Sequence, residues 1–217
     1  MSLSLSLLIA IAGALSVRCT TDPNPKKAAS NNENNNENDR IRLLTRSVPT
    51  VIRRVASLII AHHVLLTLFW RGIREQDEHH HHRYSRYICP YGANLNEALF
   101  SWTWTSGVAL LAIFVGAAVR LSAFHRLGSN FTFHLTAPDR LVTTGVYRFI
   151  QHPGYTGQFL VCGGCIGLLL RWDGTPACWM GNDNTLLQLL RVPFFRDAVL
   201  GSLAVFFVSM VWLRVVD

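Results

Sequence analysis

The sequence predicts an all-α integral membrane protein with about five transmembrane helices. Half of the 217 residues are hydrophobic, only 15% are charged, and the mean hydropathy is positive. Soluble domains carry about 25% charged residues. The apolar residues fall into five runs of 15 or 16 residues, separated by polar segments. A helix needs about 20 residues to cross a bilayer. Arginines beside a shorter apolar run can still allow it to span, because their side chains reach the lipid surface.

The first apolar run covers residues 3–17 and ends at Arg18. No lysine or arginine precedes it, as would be usual in a signal peptide, so we expect a retained helix. Residues 20–38 are polar and include an asparagine-rich tract, which predicts a disordered connector. We place the boundary between this N-terminal region, residues 1–54, and the main domain, residues 55–217.

The second run covers residues 55–70 and contains His62 and His63. Neighbouring helix positions point about 100° apart, so we expect at most one of the two histidines to face a common site. An inward-facing, hydrogen-bonded histidine is favoured over a metal or proton-relay role. Four consecutive histidines at 79–82 are interpreted as part of a solvated loop. No metal site is predicted.

Small residues mark the third run, 104–119, and the fourth, 155–170. They predict helices that approach each other closely. We interpret the C-x-x-C sequence of residues 162–165 in the same way, in preference to a redox or zinc site. The odd number of cysteines, five, predicts no disulfide framework. The fifth run covers residues 198–213.

Charge predicts the orientation of the chain. If the N-terminus is lumenal, 13 lysines and arginines lie on one side of the membrane and 7 on the other. The side with 13 is then cytosolic, and it includes residues 121–155 and Arg214. The net charge of +7 is scattered between apolar runs, a pattern that suits membrane lipids as partners and not nucleic acid.

Chemistry is expected in the loop between the third and fourth helices. Gly145 allows a tight turn, and Pro153 is expected to stop a helix and to leave backbone groups free beside His152. Tyr147 and Tyr155 offer aromatic faces that suit a cationic ligand or an adenine ring. From these residues alone, a cofactor site and a tyrosine-rich interfacial loop both remain open.

The pattern L-V-T-T-G-x-Y-R-x-x-x-H-P-x-Y-x-G at residues 141–157 carries a resemblance. Together with Leu127-Gly128 and F-T-F at 131–133, it resembles the isoprenylcysteine carboxyl methyltransferase family. The resemblance implies an enzyme of the endoplasmic reticulum membrane that uses S-adenosylmethionine. Its substrates would be prenylated CaaX proteins, methylated on the C-terminal carboxylate of the prenylated cysteine.

The resemblance also implies site residues. The cofactor would be bound in the cytosolic loop by Asp139, Arg140, Leu141, Val142, Tyr147, His152, Pro153, Gly154 and Tyr155. Arg214 would be catalytic by holding the carboxylate. Gln151 stands where the family has arginine, and the glutamates expected after Arg214 are absent, so we expect a C-terminally truncated member.

Two alternatives remain open. A phospholipid N-methyltransferase would need a base to deprotonate its amine, and His152 or Asp139 is the candidate. A non-catalytic relative would keep the fold and bind cofactor or lipid without turnover. A screen of methyl acceptors distinguishes the two enzymes, and cofactor binding without turnover identifies the third possibility.

Overall fold

The computed structural model describes residues 2–24, 48–78, 85–128, 131, 142–169, 171, 173–181, 185–192, 201, 202 and 205. All regular structure within these residues is helical, which confirms the all-α prediction. The α-helices are α1 (Ser2–Cys19), α2 (Val48–Glu78), α3 (Ser85–Ile88), α4 (Trp104–Leu127), α5 (Pro153–Leu169) and α6 (Thr185–Arg191). Short 3₁₀ turns cover Gly92–Asn94, Glu97–Phe100, Gly145–Arg148 and Thr175–Trp179.

Four of the five predicted helices are present, and α4 is longer than predicted. It begins at a capping box in which Thr103 and Ser106 satisfy each other's backbone N–H groups. It continues past residue 119 to Leu127 and ends at Gly128, whose φ is +53°. Arg120 therefore lies inside the helix and not after it. The fifth predicted run falls outside the described residues, apart from helical positions 201, 202 and 205.

Length and composition identify one candidate membrane span in the described part of the chain. This is α4, which is both long enough and apolar enough to cross a bilayer, while α1 is apolar but shorter. The number of spans, five, therefore stays a prediction. So does the division at residues 54 and 55, which falls within α2.

The main core lies between α1, α2, α4 and α5. Its buried members are Leu5, Ile9, Ala12, Ile60, Ala109, Leu110, Ile113, Leu168 and Leu169. The backbones of α4 and α5 touch where both helices have glycine. A Cβ atom on Gly157 would lie 2.6 Å from the carbonyl oxygen of Gly116 and 2.7 Å from the backbone nitrogen of Arg120. The prediction that small residues allow close helix packing is confirmed, and Gly164 of the C-x-x-C sequence makes a similar contact with the carbonyl of Ala109.

The loops meet in pairs at opposite ends of the helices. Asn24, after α1, donates hydrogen bonds from Nδ2 to the carbonyls of Gly128 (2.7 Å) and Phe131 (2.9 Å), after α4. We call this end, with residues 145–155, the site end. The residues between α2 and α4 meet those after α5 at the other end, which we call the disulfide end. This alternation agrees with the predicted arrangement of loops.

A disulfide joins Cys89 to Cys178 at the disulfide end. The prediction of no disulfide framework was wrong, because the two cysteines are 89 residues apart and form no local spacing pattern. The antiparallel pairing of α4 and α5 brings their loops together. Hydrogen bonds reinforce the junction, since the backbone N–H of Tyr91 donates to the carbonyl of Cys178 (3.1 Å) and Asn94 Nδ2 donates to that of Met180 (3.0 Å).

Both histidines of α2 face inward and are hydrogen-bonded, as predicted. His63 is fully buried, and its Nδ1 lies 2.9 Å from Thr175 Oγ1. His62 Nε2 lies 2.9 Å from the carbonyl oxygen of Ile88, and its ring centre is 5.6 Å from that of Trp179. Contrary to expectation, both contact the Thr175–Trp179 turn, because this turn spans the angle between them. The histidines at 79–82 lie outside the described residues.

Candidate functional site

The start of α5 carries the H-P-x-Y motif. Pro153 is the first residue of the helix, and the carbonyl of His152 accepts hydrogen bonds from the backbone N–H groups of Tyr155 and Thr156, each at 3.1 Å. Pro153 therefore begins a helix, where its fixed φ is favourable and its missing N–H leaves no gap in the hydrogen bonding. The expectation that it stops a helix was wrong. The His152 side chain is exposed, while Pro153 is buried.

The Gly145–Arg148 turn lies against the end of α4. Gly145 has a φ of +66°, a conformation that glycine adopts without strain. The Arg126 side chain covers it, since a Cβ on Gly145 would lie 2.6 Å from Arg126 Nε. Tyr147 in the same turn is half-buried, and burial raises the pKa of its phenol, so the hydroxyl keeps its proton at neutral pH.

Arg120 connects three helices at the site end. Only 6% of this residue is exposed. Its Nη1 donates to the carbonyl of Gly154 at 2.6 Å, and its Nε donates to the carbonyl of Cys19 at 2.7 Å. The guanidinium carbon lies 4.9 Å from the ring centre of Phe124, one turn further along α4. A buried cation thus joins the last residue of α1 to the first turn of α5.

An open cleft of about 510 Å³ lies between α4 and the Gly145–Arg148 turn. It is lined by Ala118, Leu121, Ser122, His125, Arg126, Gly145 and Val146. Exposed basic side chains, including Arg126 and Arg148, lie in the described part of this end. Phe149 is 83% exposed beside Arg148, with its ring centre 5.9 Å from the guanidinium carbon. A surface that combines cations with an apolar wall suits an anionic amphiphile.

The structure places five of the predicted site residues at the site end, and a sixth, Val142, lies three residues before Gly145. His152, Pro153, Gly154 and Tyr155 open α5, with the rings of His152 and Tyr155 6.2 Å apart, while Val142 and Tyr147 precede the helix. Asp139, Arg140, Leu141 and Arg214 lie outside the described residues. Sequence reasoning missed Arg120 and Arg126. The sequence did contain a signal for Arg120. It directly follows an uncharged apolar run, and no helix-breaking residue separates it from that run.

Residues 108–192 match the model of the "Isoprenylcysteine carboxyl methyltransferase (ICMT) family". The matched segment contains most of α4, the Gly145–Arg148 turn and all of α5. The resemblance to the ICMT family is confirmed. The ICMT match therefore falls on the elements that build the site end.

Curated relatives agree with this match over part of their length. A Homo sapiens protein-S-isoprenylcysteine O-methyltransferase is 39% identical over 100 residues, covering 44% of this chain and 32% of the human protein. The Mus musculus protein of the same name is 39% identical over 62 residues, covering 26% and 22% respectively. A probable member from Oryza sativa subsp. indica is 35% identical over 77 residues, covering 31% and 40%. The chain thus matches 22% to 40% of the length of these relatives. No solved structure matches it.

Proposed function

We propose that this protein is a multi-pass enzyme of the endoplasmic reticulum membrane that uses S-adenosylmethionine to methylate the C-terminal carboxylate of prenylated cysteine. One observation carries the proposal: the residues that match the family, 108–192, include the helices and the turn that form the site end. There the H-P-x-Y motif opens α5 beside exposed cations. Prenylated proteins would be the substrates and membrane lipids the surroundings, with the site on the cytosolic face.

The residues at the start of α5 fit the cofactor. Tyr147 and Tyr155 are half-buried aromatic side chains of the kind that pack against an adenine ring or a sulfonium cation. Space is available at Gly154, where the nearest atom to an added Cβ would be Arg120 Nη1 at 4.0 Å. These residues, with Val142, His152 and Pro153, would hold the cofactor. Asp139, Arg140 and Leu141 complete the proposed set.

In the proposed reaction the protein must align the carboxylate with the methyl group, but it need not supply a base. When bound, S-adenosylmethionine supplies a methyl group on a positively charged sulfur. A C-terminal carboxyl has a pKa of about 3.5, so the acceptor is already ionised at neutral pH. Arg126 and Arg148 attract this carboxylate to the site end, and Arg214 is the proposed residue that holds it during transfer. A water-poor environment at the membrane surface would favour the approach of opposite charges.

The test is transfer of labelled methyl groups to a farnesylcysteine analogue by membranes that contain this chain. We expect His152→Ala to lower transfer at least tenfold, because the motif side chain is lost. Gln151→Ala, at an exposed neighbouring position, is the matched control and is expected to keep the wild-type rate. Equal rates for both variants would contradict the assignment of the motif.

The same membranes distinguish the alternatives. Methyl transfer to phosphatidylethanolamine without transfer to farnesylcysteine would replace the proposed acceptor by a phospholipid amine. Binding of S-adenosylmethionine with no transfer to either acceptor would identify a relative that binds cofactor without turnover. Absence of cofactor binding would contradict the proposal altogether.

A further inference from the structure

We propose that Arg120 is a positioning residue that sets the first turn of α5, and with it the H-P-x-Y motif, for cofactor binding. The inference rests on the proposed function for its activity readout. It adds a residue of α4 to a site otherwise built from the loop before α5 and from α5 itself. Arg120 acts through the backbone of the motif and touches no reacting atom.

The geometry shows a bridge made by one guanidinium. Nη1 donates to the carbonyl of Gly154, the second residue of α5, and Nε donates to the carbonyl of Cys19, the last residue of α1. Both distances, 2.6 and 2.7 Å, are short, as is typical when the donor is charged. Moving the guanidinium would therefore disturb the end of α1 and the start of α5 together.

The charge at this junction suits the carbonyl of Cys19, at the C-terminal end of α1. The last carbonyls of a helix have no partner within the helix and carry partial negative charge. Arg120 satisfies one of them at the end of α1. Burial removes competing water, so these hydrogen bonds are stronger than they would be at the surface.

A second contact fixes the same turn from the side of α4. Gly157 lies one turn after Gly154, and a Cβ there would come within 2.7 Å of the backbone nitrogen of Arg120 and 2.8 Å of its Cβ. The backbone of α5 is thus held against Arg120 at two successive turns. Binding sites need their contacting groups placed to within about 0.5 Å, so loss of this support is expected to weaken binding without removing any contact to ligand.

Arginine is required here because of its shape. Its planar fork reaches two carbonyls at fixed angles, whereas the lysine ammonium is a compact point charge on a flexible four-carbon stem. Arg120→Lys keeps the charge but is expected to lose the bridge. Arg120→Gln removes the charge as well. Arg18, next to Cys19 and exposed, offers the control Arg18→Gln, which removes one cation from the same end of α1.

The experiment measures S-adenosylmethionine binding and the kinetics of methyl transfer on the purified full chain. We expect Arg120→Lys and Arg120→Gln to raise the Kd and the KM for S-adenosylmethionine at least tenfold. The KM for the farnesylcysteine acceptor should change less than twofold. General loss of folded protein would not raise the KM of one substrate and leave that of the other unchanged. Arg18→Gln should match the wild type. Wild-type cofactor affinity in both Arg120 variants would overturn the inference.

A measurement without cofactor separates this inference from the proposed function. Cys19 is a buried free thiol, and mass spectrometry can follow its reaction with maleimide. We expect the Arg120 variants to label at least tenfold faster than the wild type and Arg18→Gln. If the wild type binds no cofactor, the proposed function fails, and labelling decides whether Arg120 forms the bridge. Unchanged labelling would contradict the proposed bridge. If neither Arg120 variant folds, the inference is also contradicted, and Arg120 is a structural residue and not a positioning residue.

Discussion

The two ends of the molecule are held together by different means. At the disulfide end, a covalent bond between Cys89 and Cys178 joins two loops that also share hydrogen bonds. At the site end, the described contacts between helices are non-covalent, and Arg120 hydrogen-bonds to both α1 and α5. Non-covalent contacts can adjust as ligands enter and leave, whereas a disulfide fixes its loops permanently. The comparison suggests that one end serves stability and the other serves binding.

The largest expected effect comes from removing the disulfide. The Cys89→Ser/Cys178→Ser variant should lose about 4 kcal/mol of stability, because the bond closes a loop with a sequence separation of 89 residues. Cofactor affinity of the protein that remains folded should not change. Thermal unfolding and cofactor binding measure the two effects, with Cys162→Ser as the control for a cysteine-to-serine change outside the disulfide. Loss of affinity in parallel with stability would break the distinction between the ends.

The next largest effect is expected from Gly157→Ala. The added methyl group would meet backbone atoms of α4 at 2.6 and 2.7 Å, so the helices must separate, at a cost of about 3 kcal/mol. Gly163→Ala on the same helix is the matched control, because nothing lies within 4 Å of its added Cβ. Thermal unfolding compares the two variants. Equal stability would show that α4 and α5 do not pack through their backbones.

A smaller effect is expected at Asp173, whose side chain is 8% exposed at the disulfide end. Burial by itself raises the pKa of this carboxyl, but hydrogen bonds from Arg171 and Asn96 outweigh burial and hold the pKa below its ordinary value. Its ionised form therefore stabilises the fold at neutral pH, and this contribution disappears as the pH falls through the lowered pKa. Asp173→Asn should cost about 2 kcal/mol at pH 7.

Melting curves measured from pH 7 down to acidic pH test this sign. The difference between the wild type and Asp173→Asn should shrink as the pH falls, because the wild type loses its carboxylate while the variant has none to lose. Cofactor affinity should stay the same in both proteins. A difference that is constant with pH would remove Asp173 from the stabilising contacts of the disulfide end.

The smallest effect is expected at Gly145. Its φ of +66° is unfavourable for alanine by about 1 kcal/mol, so Gly145→Ala should lower stability slightly and weaken cofactor binding by a few-fold. Gly145→Asn is the control, since asparagine tolerates this conformation better than alanine does. Binding measurements on both variants should rank asparagine above alanine. The reverse order would indicate that contact with Arg126, and not φ, governs the turn.

The parts of the fold that depend on local pattern could be predicted from the sequence. Apolar runs located α1, α2, α4 and α5, and the glycines identified the close packing between α4 and α5. Contacts between distant residues could not be predicted in the same way. Cys89 and Cys178 carry no spacing signal, and the partners of Arg120 are backbone carbonyls, which every residue possesses.

The candidate site shows the same division. The H-P-x-Y motif and its two tyrosines stand out in the sequence because their residue types are unusual together. The role of Pro153 was misjudged, since proline both ends one helix and begins the next, and only the hydrogen bonds of His152 distinguish the two cases. Arg126 could not be found, because its contact with Gly145 depends on how the turn folds back on α4.

The bond between Cys89 and Cys178 makes a closed ring of the chain between them. This ring contains α4, the segment that leads to the site, and α5. A protease that cuts once inside the ring opens it without releasing either helix, since both pieces stay joined through sulfur. The site-bearing segment is therefore covalently retained even when its own backbone is broken.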